Sequence, residues 1–339
     1  MSRHAVGAGL DDRRPWSFAR IGTGNIDFAV RFAASASLLL TIGSWLGSRY
    51  WLLELLTHFR IQFVAGAVVL LVVAVARRTP GSSFVALFVA AANLIPLLPY
   101  VLPGASNAQA GQDSLRIMSA NVLFRSNDHG ALRALIERED PDIIGLLEVN
   151  DAWMEALAGL TAEYPHSVLR PEDGAYGLAL YSRIPVRELQ TSPYIQDGTQ
   201  TALLVEVGIH DERAILTLAH LMAPTSARKA GLRNLQIAKI TEMIGTDRGH
   251  EQILIGDLNI TPWSPYYAQL EEKAGLLNAA GGRGYLPTWR TGFNVLKIPI
   301  DHILLSDAFE VRQFRTAAPF GSDHLPIVAD VAVRGANAD

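Results

Sequence analysis

Three apolar runs, FAVRFAASASLLLTIGSWLG, IQFVAGAVVLLVVAVA and FVALFVAAANLIPLLPYVL, all lie before Gly104, and nothing of comparable length follows. Each approaches the roughly 20 residues that an α-helix needs to cross a bilayer. A chain patterned this way cannot bury all of its apolar surface in one water-soluble core, so a membrane anchor followed by a separate domain is expected. The middle run is the shortest, and spanning would require its flanking His58, Arg60, Arg77 and Arg78 to reach toward the headgroups. A cleaved signal peptide would account for one such run, not three. The expected division is a tail over 1–27, a three-helix anchor over 28–103, a linker over 104–114, a second domain over 115–334 and a short tail over 335–339.

Basic residues near the ends of the runs set the orientation. Arg3, Arg13, Arg14 and Arg20 precede the first run and Arg77 with Arg78 precede the third, so both places belong to the cytoplasm. The stretch after the third run, PGASNAQAGQDS, has no basic residue. Three crossings from a cytoplasmic N-terminus give a multi-pass protein of the cell membrane with its second domain outside the cytoplasm. The alternative is a hairpin with one half-inserted segment and a cytoplasmic domain. Asn93 in the third run is a candidate helix-packing residue, and Pro96 and Pro99 mark a kink near its outer end.

Two totals exclude function classes. The chain has no cysteine, which rules out disulfides, thiolate metal sites and cysteine nucleophiles. Its formal net charge of -4 supplies no global positive field for nucleic acid, although a local patch stays open.

From Leu115 onward short apolar runs are bounded by turn formers. LRIMSANV, DIIGLLEV, YGLALYS, IPVRELQ, TALLVEVGI, RAILTLAHL, EQILIGDLN, IDHILLS, FEVRQFRT and LPIVADVAV read as strands, while GALRALIERED and SARKAGLRNLQIAKITEMIG read as amphipathic helices. Mostly antiparallel strands with helices outside point to an α/β sandwich of two packed sheets.

Polar residues interrupt these runs where the strands stop. They are Asn121, Glu148, His220, Asp257, Asn259, Asp301 and the neighbouring Asp323 and His324. Any one of them alone reads as a turn or a cap; eight in one domain read as a site. Hard divalent cations take oxygen ligands, and magnesium in particular takes one or two carboxylates together with substrate phosphate. Glu148 suits the main metal carboxylate, with the Asn121 amide oxygen beside it and Asp323 as a further oxygen ligand. Asp257 and Asn259, two apart on an extended segment, point the same way and would hold a nucleophilic water and a phosphate oxygen. Two imidazoles add proton transfer, and Asp301 is the leading candidate to fix the tautomer of His324. There is no HExxH for zinc and no phosphate-binding glycine loop preceded by a strand.

The segments SANV, LLEV, GLALYSRIPV, LAHLMAP, GDLNITPWSP, PTW, IDHIL and GSDHLP, in that order, resemble the endonuclease/exonuclease/phosphatase superfamily across Leu115 to Val333. The resemblance implies the deoxyribonuclease-I-like two-sheet sandwich. It also implies metal binding by Asn121 and Glu148, water and phosphate orientation by Asp257 and Asn259, and Asp301 supporting His324 as general base. His220 would contact phosphate or assist the leaving group. The sequence departs from the superfamily's repair enzymes after Asn121, where it reads VLFRSND, and their DNA-binding insertions are not evident. The layout of three spans followed by such a domain is similar to teicoplanin-resistance membrane proteins, which act on lipid-linked pyrophosphate.

The expected activity is a divalent-metal-dependent phosphohydrolase, using Mg2+ with Mn2+ as the alternative ion. A membrane lipid phosphate or pyrophosphate is favoured over nucleic acid, because a linker of about 11 residues holds the site within about 40 Å of the bilayer. The runner-up is an extracytoplasmic nuclease. A non-catalytic receptor or scaffold comes third, since every motif position is filled. Arg125, Arg170, Arg183, Arg228, Lys229 and Arg233 are candidates for a basic rim. Trp289, as a substrate-binding residue, and Trp263, Tyr266 and Tyr267 would cover an apolar chain, stack a base or pack in the core. No obligate protein partner is inferred.

Overall fold

The computed structural model describes residues 23–102, 114–193, 200–209, 212–247, 249–289, 292 and 295–334. Most of the expected N-terminal tail, the linker up to residue 113 and the C-terminal tail lie outside the described residues.

The apolar part forms α1 (Thr23–Trp45), α2 (Trp51–Thr57), α3 (Arg60–Ala76) and α4 (Pro80–Leu94), then a 3-10 turn at Ile95–Leu97 and α5 (Leu98–Val101). Two stretches, Gly24–Trp45 and Pro80–Val101, are long and apolar enough to cross a membrane. That corrects the expectation of three. α3 has 17 residues and is bent by 66° from α2. At 1.5 Å rise per residue it covers about 26 Å, short of a full hydrocarbon core. The sequence WLLELLT, between the first two apolar runs, coils into α2 and buries Glu54 and Thr57. Asn93 is buried inside the bundle, where its Nδ2 donates to Thr41 Oγ1 at 2.9 Å and its Oδ1 accepts from Arg60 Nη1 at 3.3 Å. The outward faces are bare hydrocarbon, with Phe28 71% and Phe84 72% exposed.

The second domain contains β1 (Leu115–Asn121), α6 (His129–Glu139), β2 (Ile143–Leu147), α7 (Asp151–Ala156), β3 (His166–Arg170), β4 (Leu178–Ser182), β5 (Val186–Pro193) and β6 (Gln200–Ile209). It continues with β7 (Glu212–His220), α8 (Ala227–Thr246), β8 (Glu251–Asp257), α9 (Pro265–Ala274), β9 (Leu277–Asn278), β10 (Asp301–Leu305), β11 (Phe309–Thr316) and β12 (Ile327–Val333). One sheet runs β11-β12-β1-β2-β4-β3 and the other β5-β6-β7-β8-β10-β9. β1–β2 and β7–β8 are parallel, and the other pairings among the described strands are antiparallel. The two-sheet sandwich read from the strand pattern is therefore present, and the period-2 alternation explains it. In β1, Ile117 points between the sheets with Ile143, Leu216 and Ile255, while Met118 and Ala120 face the layer containing Leu132, Ile136 and Trp153. A third apolar layer joins the other sheet to α8 and α9 through Ile237, Ile240, Tyr267 and Leu254. The sheets approach closely at Gly145, where a Cβ would lie 2.7 Å from Leu218 Cδ1 and 2.8 Å from Ile255 Cδ1.

Helix starts follow local chemistry. Asn150, Ser226 and Ser264 cap α7, α8 and α9 by accepting from Trp153 N, Lys229 N and Tyr266 N. Pro265 occupies the first turn of α9 and Gly275, at φ 68°, ends it.

The apolar helices dock on this domain. Arg233 Nη2 donates to Glu54 Oε2 at 2.5 Å, Ser264 Oγ to Glu54 Oε1 at 2.9 Å, and His58 Nδ1 lies 2.9 Å from Thr261 Oγ1. Gly282 N and Gly284 N donate to the carbonyls of Pro99 and Tyr100 at 2.9 and 2.8 Å. Gln62 Nε2 donates to the carbonyls of Val295 and Lys297. α2, the start of α3 and α5 thus meet the same domain.

Candidate active site

Sheet register gathers the polar strand ends. His220 and Asp301 each stand opposite Asp257, because β7, β8 and β10 are neighbours. In the other sheet Asn121 stands opposite Leu147, so Glu148 follows immediately beyond. Two backbone features make this possible. Gly256, at φ 131°, lets β8 come so close to β7 that a Cβ would sit 2.0 Å from Ala219 O. Glu148 and Asn259 adopt φ of 64° and 50°, left-handed conformations that cost about 1–3 kcal/mol in non-glycine residues and cluster at functional sites.

Asp257 Oδ2 is the hub. It lies 3.3 Å from Asn121 Nδ2, 3.6 Å from His220 Nε2 and 3.7 Å from His324 Nε2. Asn121 Nδ2 also donates to Glu148 Oε1 at 2.9 Å, and Phe124 N donates to Glu148 Oε2 at 3.2 Å. His324 Nδ1 is 2.8 Å from Asp301 Oδ2, and Thr288 Oγ1 accepts from Asp301 N at 3.2 Å. Asn259 N donates to Asp257 Oδ1 at 2.8 Å, while Asn259 Nδ2 donates to Leu221 O. Asn121, Asp257, Asp301, His220 and His324 are all buried.

Burial sets the charges. It pushes the Asp257 carboxyl up, the Asp301 charge adds to that, and His324 opposes it, leaving the group at about 8. Burial alone would lower the His324 imidazole. Asp301 and Asp257 outweigh it and push the group up to about 10, so His324 carries a proton at neutral pH. Desolvation lowers His220, which is neutral there.

All nine residues singled out in the sequence can be located. Asn121, Glu148, His220, Asp257, Asn259, Asp301 and His324 are linked by the contacts above. Asp323, read as an oxygen ligand, instead accepts from Trp289 Nε1 at 3.0 Å. Trp289 in turn forms an isolated bridge with His324, their rings 6.4 Å apart. Among the described residues, the His and carboxylate ligand atoms within 4.8 Å of one another belong to Asp257, Asp301 and His324. Glu148 joins them through the shared Asn121 amide. This oxygen-rich, negatively biased set fits a hard divalent cation.

Three of the six candidate rim residues are held elsewhere, while Arg125, Arg228 and Lys229 are exposed. Arg170 pairs with Glu188 and Arg183 with Asp140, and Arg233 is fully buried on Glu54. Trp263 and Tyr267 are buried. Two supporting residues had little sequence signal. Ser322 Oγ donates to Asn121 O and accepts from His324 N, and Thr288 Oγ1 accepts from both Ile300 N and Asp301 N. Their place within the PTW and GSDHLP segments is the available clue.

The sequence profile of the endonuclease/exonuclease/phosphatase family matches residues 118–324, from the middle of β1 to His324. The chain belongs to this family. It is a hydrolase of phosphate esters. Solved structures of similar fold include a humanized D. rerio TDP2 with 14 mutations, at 19% identity and a TM-score of 0.56, covering 66% of this chain and 100% of that one. An endonuclease/exonuclease/phosphatase from Beutenbergia cavernae matches at 22% identity and 0.51, covering 66% and 73%. The human Nocturnin catalytic domain matches at 20% identity and 0.52, covering 66% and 96%. At such identities the likeness is one of fold. No curated protein matches the sequence.

Proposed function

We propose that this hydrolase is anchored in the cell membrane and removes or transfers to water a phosphate group of a membrane lipid, a lipid-linked phosphate or pyrophosphate. One observation carries the reading: the anchor docks on the segments that carry the active site. Arg233, paired with Glu54 of α2, also donates to the carbonyl of Asn259. Gln62 of α3 holds Val295 and Lys297, next to Ile298, which pairs with Trp289. A substrate embedded in the bilayer would reach this site without leaving the membrane surface. α1 and α4 would cross in the same sense with α3 as the shorter return. The charge bias of Arg77 and Arg78 then favours an extracytoplasmic active domain.

Glu148, Asn121 and Asp257 would hold the divalent ion, for which Mg2+ is the leading candidate. Bound there, it supplies Lewis-acid polarisation of a phosphoryl oxygen. The remaining work falls to the protein. Asp257 is placed to orient the attacking water. Asp301 holds the protonated His324, whose Nε2 offers a charge-assisted hydrogen bond to the developing phosphoryl charge. His220 flanks the same carboxylate and is suited to the leaving side.

Phosphate release by the full-length protein with Mg2+ tests the substrate class. Lipid pyrophosphate, phospholipid headgroups and plasmid DNA should be compared side by side. Turnover of a lipid substrate above DNA is expected; efficient DNA cleavage without lipid turnover would make the protein an extracytoplasmic nuclease instead.

A further inference from the structure

The second domain exposes few large apolar side chains, and two of them are consecutive. Val295 is 71% and Leu296 37% exposed. Neither belongs to a strand or a helix, yet the backbone that carries them is held on one of the apolar helices. Gln62 Nε2 donates to the carbonyls of Val295 and Lys297 at 3.2 and 3.3 Å, and the Tyr285 hydroxyl also donates to Lys297 O. Gln62 lies in the first turn of α3, so α3 sets the height of this edge. A scattered exposed valine or leucine is ordinary on a surface that meets water. What gives this pair meaning is where that height falls.

α3 and α4 pack side by side as a hairpin joined at residues 77–79, so the start of α3 lies beside the end of α4. The bond from Arg60 Nη1 to Asn93 fixes the level. Asn93 stands two turns before Val101, the end of the apolar stretch Pro80–Val101, which is about 12 Å at 1.5 Å per residue. That stretch has 22 residues, close to the roughly 20 that cross a hydrocarbon core. Where it spans, Gln62 and the segment it grips lie below the headgroup boundary rather than above it. The helices' own surface at this level is hydrocarbon, with Leu94 and Ile95 exposed. Lys297 suits the same place. Its ammonium has no carboxylate partner among the described residues, and a lysine stem lies along apolar surface while its charge reaches the phosphate headgroups.

We propose that Val295 and Leu296 insert among the acyl chains of the leaflet nearest the second domain, with Lys297 at its phosphate layer. The partner of this surface is the bilayer itself. The inference rests on the membrane-anchored reading above and deepens it. Lys297 is followed by Ile298, which exchanges backbone hydrogen bonds of 3.0 and 2.6 Å with Trp289, and Trp289 bridges to His324. An edge fixed in the leaflet therefore holds one wall of the candidate active site at the depth of lipid phosphates.

Site-directed fluorescence quenching tests the depth and needs no turnover. The chain has no cysteine, so V295C, L296C and K297C each offer a single attachment point for a bimane label. The full-length protein is placed in vesicles of dioleoylphosphatidylcholine and dioleoylphosphatidylglycerol that contain a quencher lipid, its nitroxide either on the acyl chain or on the headgroup. V72C, on an exposed face of α3, and E137C, exposed on α6, are the lipid and water references. V295C and L296C should be quenched by the acyl-chain nitroxide as strongly as V72C and several-fold more than E137C. K297C should respond more to the headgroup nitroxide than to the acyl-chain one. If one labelled variant fails to fold, the other two carry the comparison. Should V295C and L296C match E137C while V72C is quenched, the inference is overturned and the anchored reading stands. An unquenched V72C would sink the anchored reading and this inference together, and a K297C quenched by neither lipid would overturn the placing of the lysine.

Discussion

Two groups of buried charge meet at Asn259 and differ in every other respect. Through its carbonyl this residue touches Arg233, the partner of Glu54; through its N–H it touches Asp257. The Glu54–Arg233 pair is balanced. Glu54 also accepts from Ser264, and Arg233 donates from Nη2, Nη1 and Nε to Glu54, Asn259 and Asn234. The candidate-site group is not balanced. Glu148, Asp257 and Asp301 supply three acidic groups, Asp257 raised to about 8, against one protonated imidazole, with His220 neutral. A satisfied buried pair holds two parts of a protein together. An excess of buried carboxylate disfavours the fold until a cation joins it, which is the signature of a site built for function rather than stability.

The largest expected effect is therefore metal removal. Chelation should bring phosphate-ester hydrolysis to background, and restoring Mg2+ should return it. Saturating metal at about 100 times its dissociation constant should also stabilise the fold by about 2.7 kcal/mol, seen as a rise in melting temperature. D257N comes next, with turnover lower by about 10²–10⁴-fold. Its stability should move the other way. Because burial and Asp301 raise the Asp257 carboxyl to about 8, ionising it disfavours the folded state, and this penalty grows as pH rises from the ordinary carboxylate range toward 8. In chelator, D257N should melt no lower than the wild type, with its advantage greatest above pH 8.

The balanced pair should show the reverse pattern. E54Q leaves Arg233 buried and unpaired and is expected to cost about 3–5 kcal/mol, while the double variant E54L/R233M should recover most of it. Turnover per folded molecule should fall far less than in D257N. A collapse of turnover in E54Q at unchanged stability would erase the distinction between the two groups. The smallest effect concerns Glu271, a half-buried acid without an ion pair among the described residues, raised to about 7 by desolvation. Its ionisation disfavours the fold, so the wild type should lose stability between about pH 4.5 and 7, and E271Q should flatten that part of the melting profile.

Much of the catalytic domain was legible in the chain because alternation marks each strand and stops at the residue that matters. RAILTLAHL ends on His220 before Leu221, and EQILIGD on Asp257, and register alone then brings them together. HSVLR, by contrast, forms β3 at the sheet edge with little burial, so it carries no alternation to read. The helix PYYAQLEEKA was hidden because its aromatic start reads equally well as binding surface. The junction was the least legible part. Glu54 stands alone among leucines in an apparent loop, and Arg233 reads as one more surface cation on a long helix. Their pairing joins positions far apart in sequence, and no local pattern encodes such a contact. The same contacts hold α2, which lies at 66° to α3.

Electron paramagnetic resonance of Mn2+ added to the full-length protein addresses the excess-charge claim most directly. The wild type and E54Q should bind the ion alike, whereas E148Q and D257N should each lose it by an order of magnitude or more in affinity. An absence of bound Mn2+ in the wild type, or equal binding in E148Q and D257N, would contradict the assignment of this carboxylate cluster as a cation site.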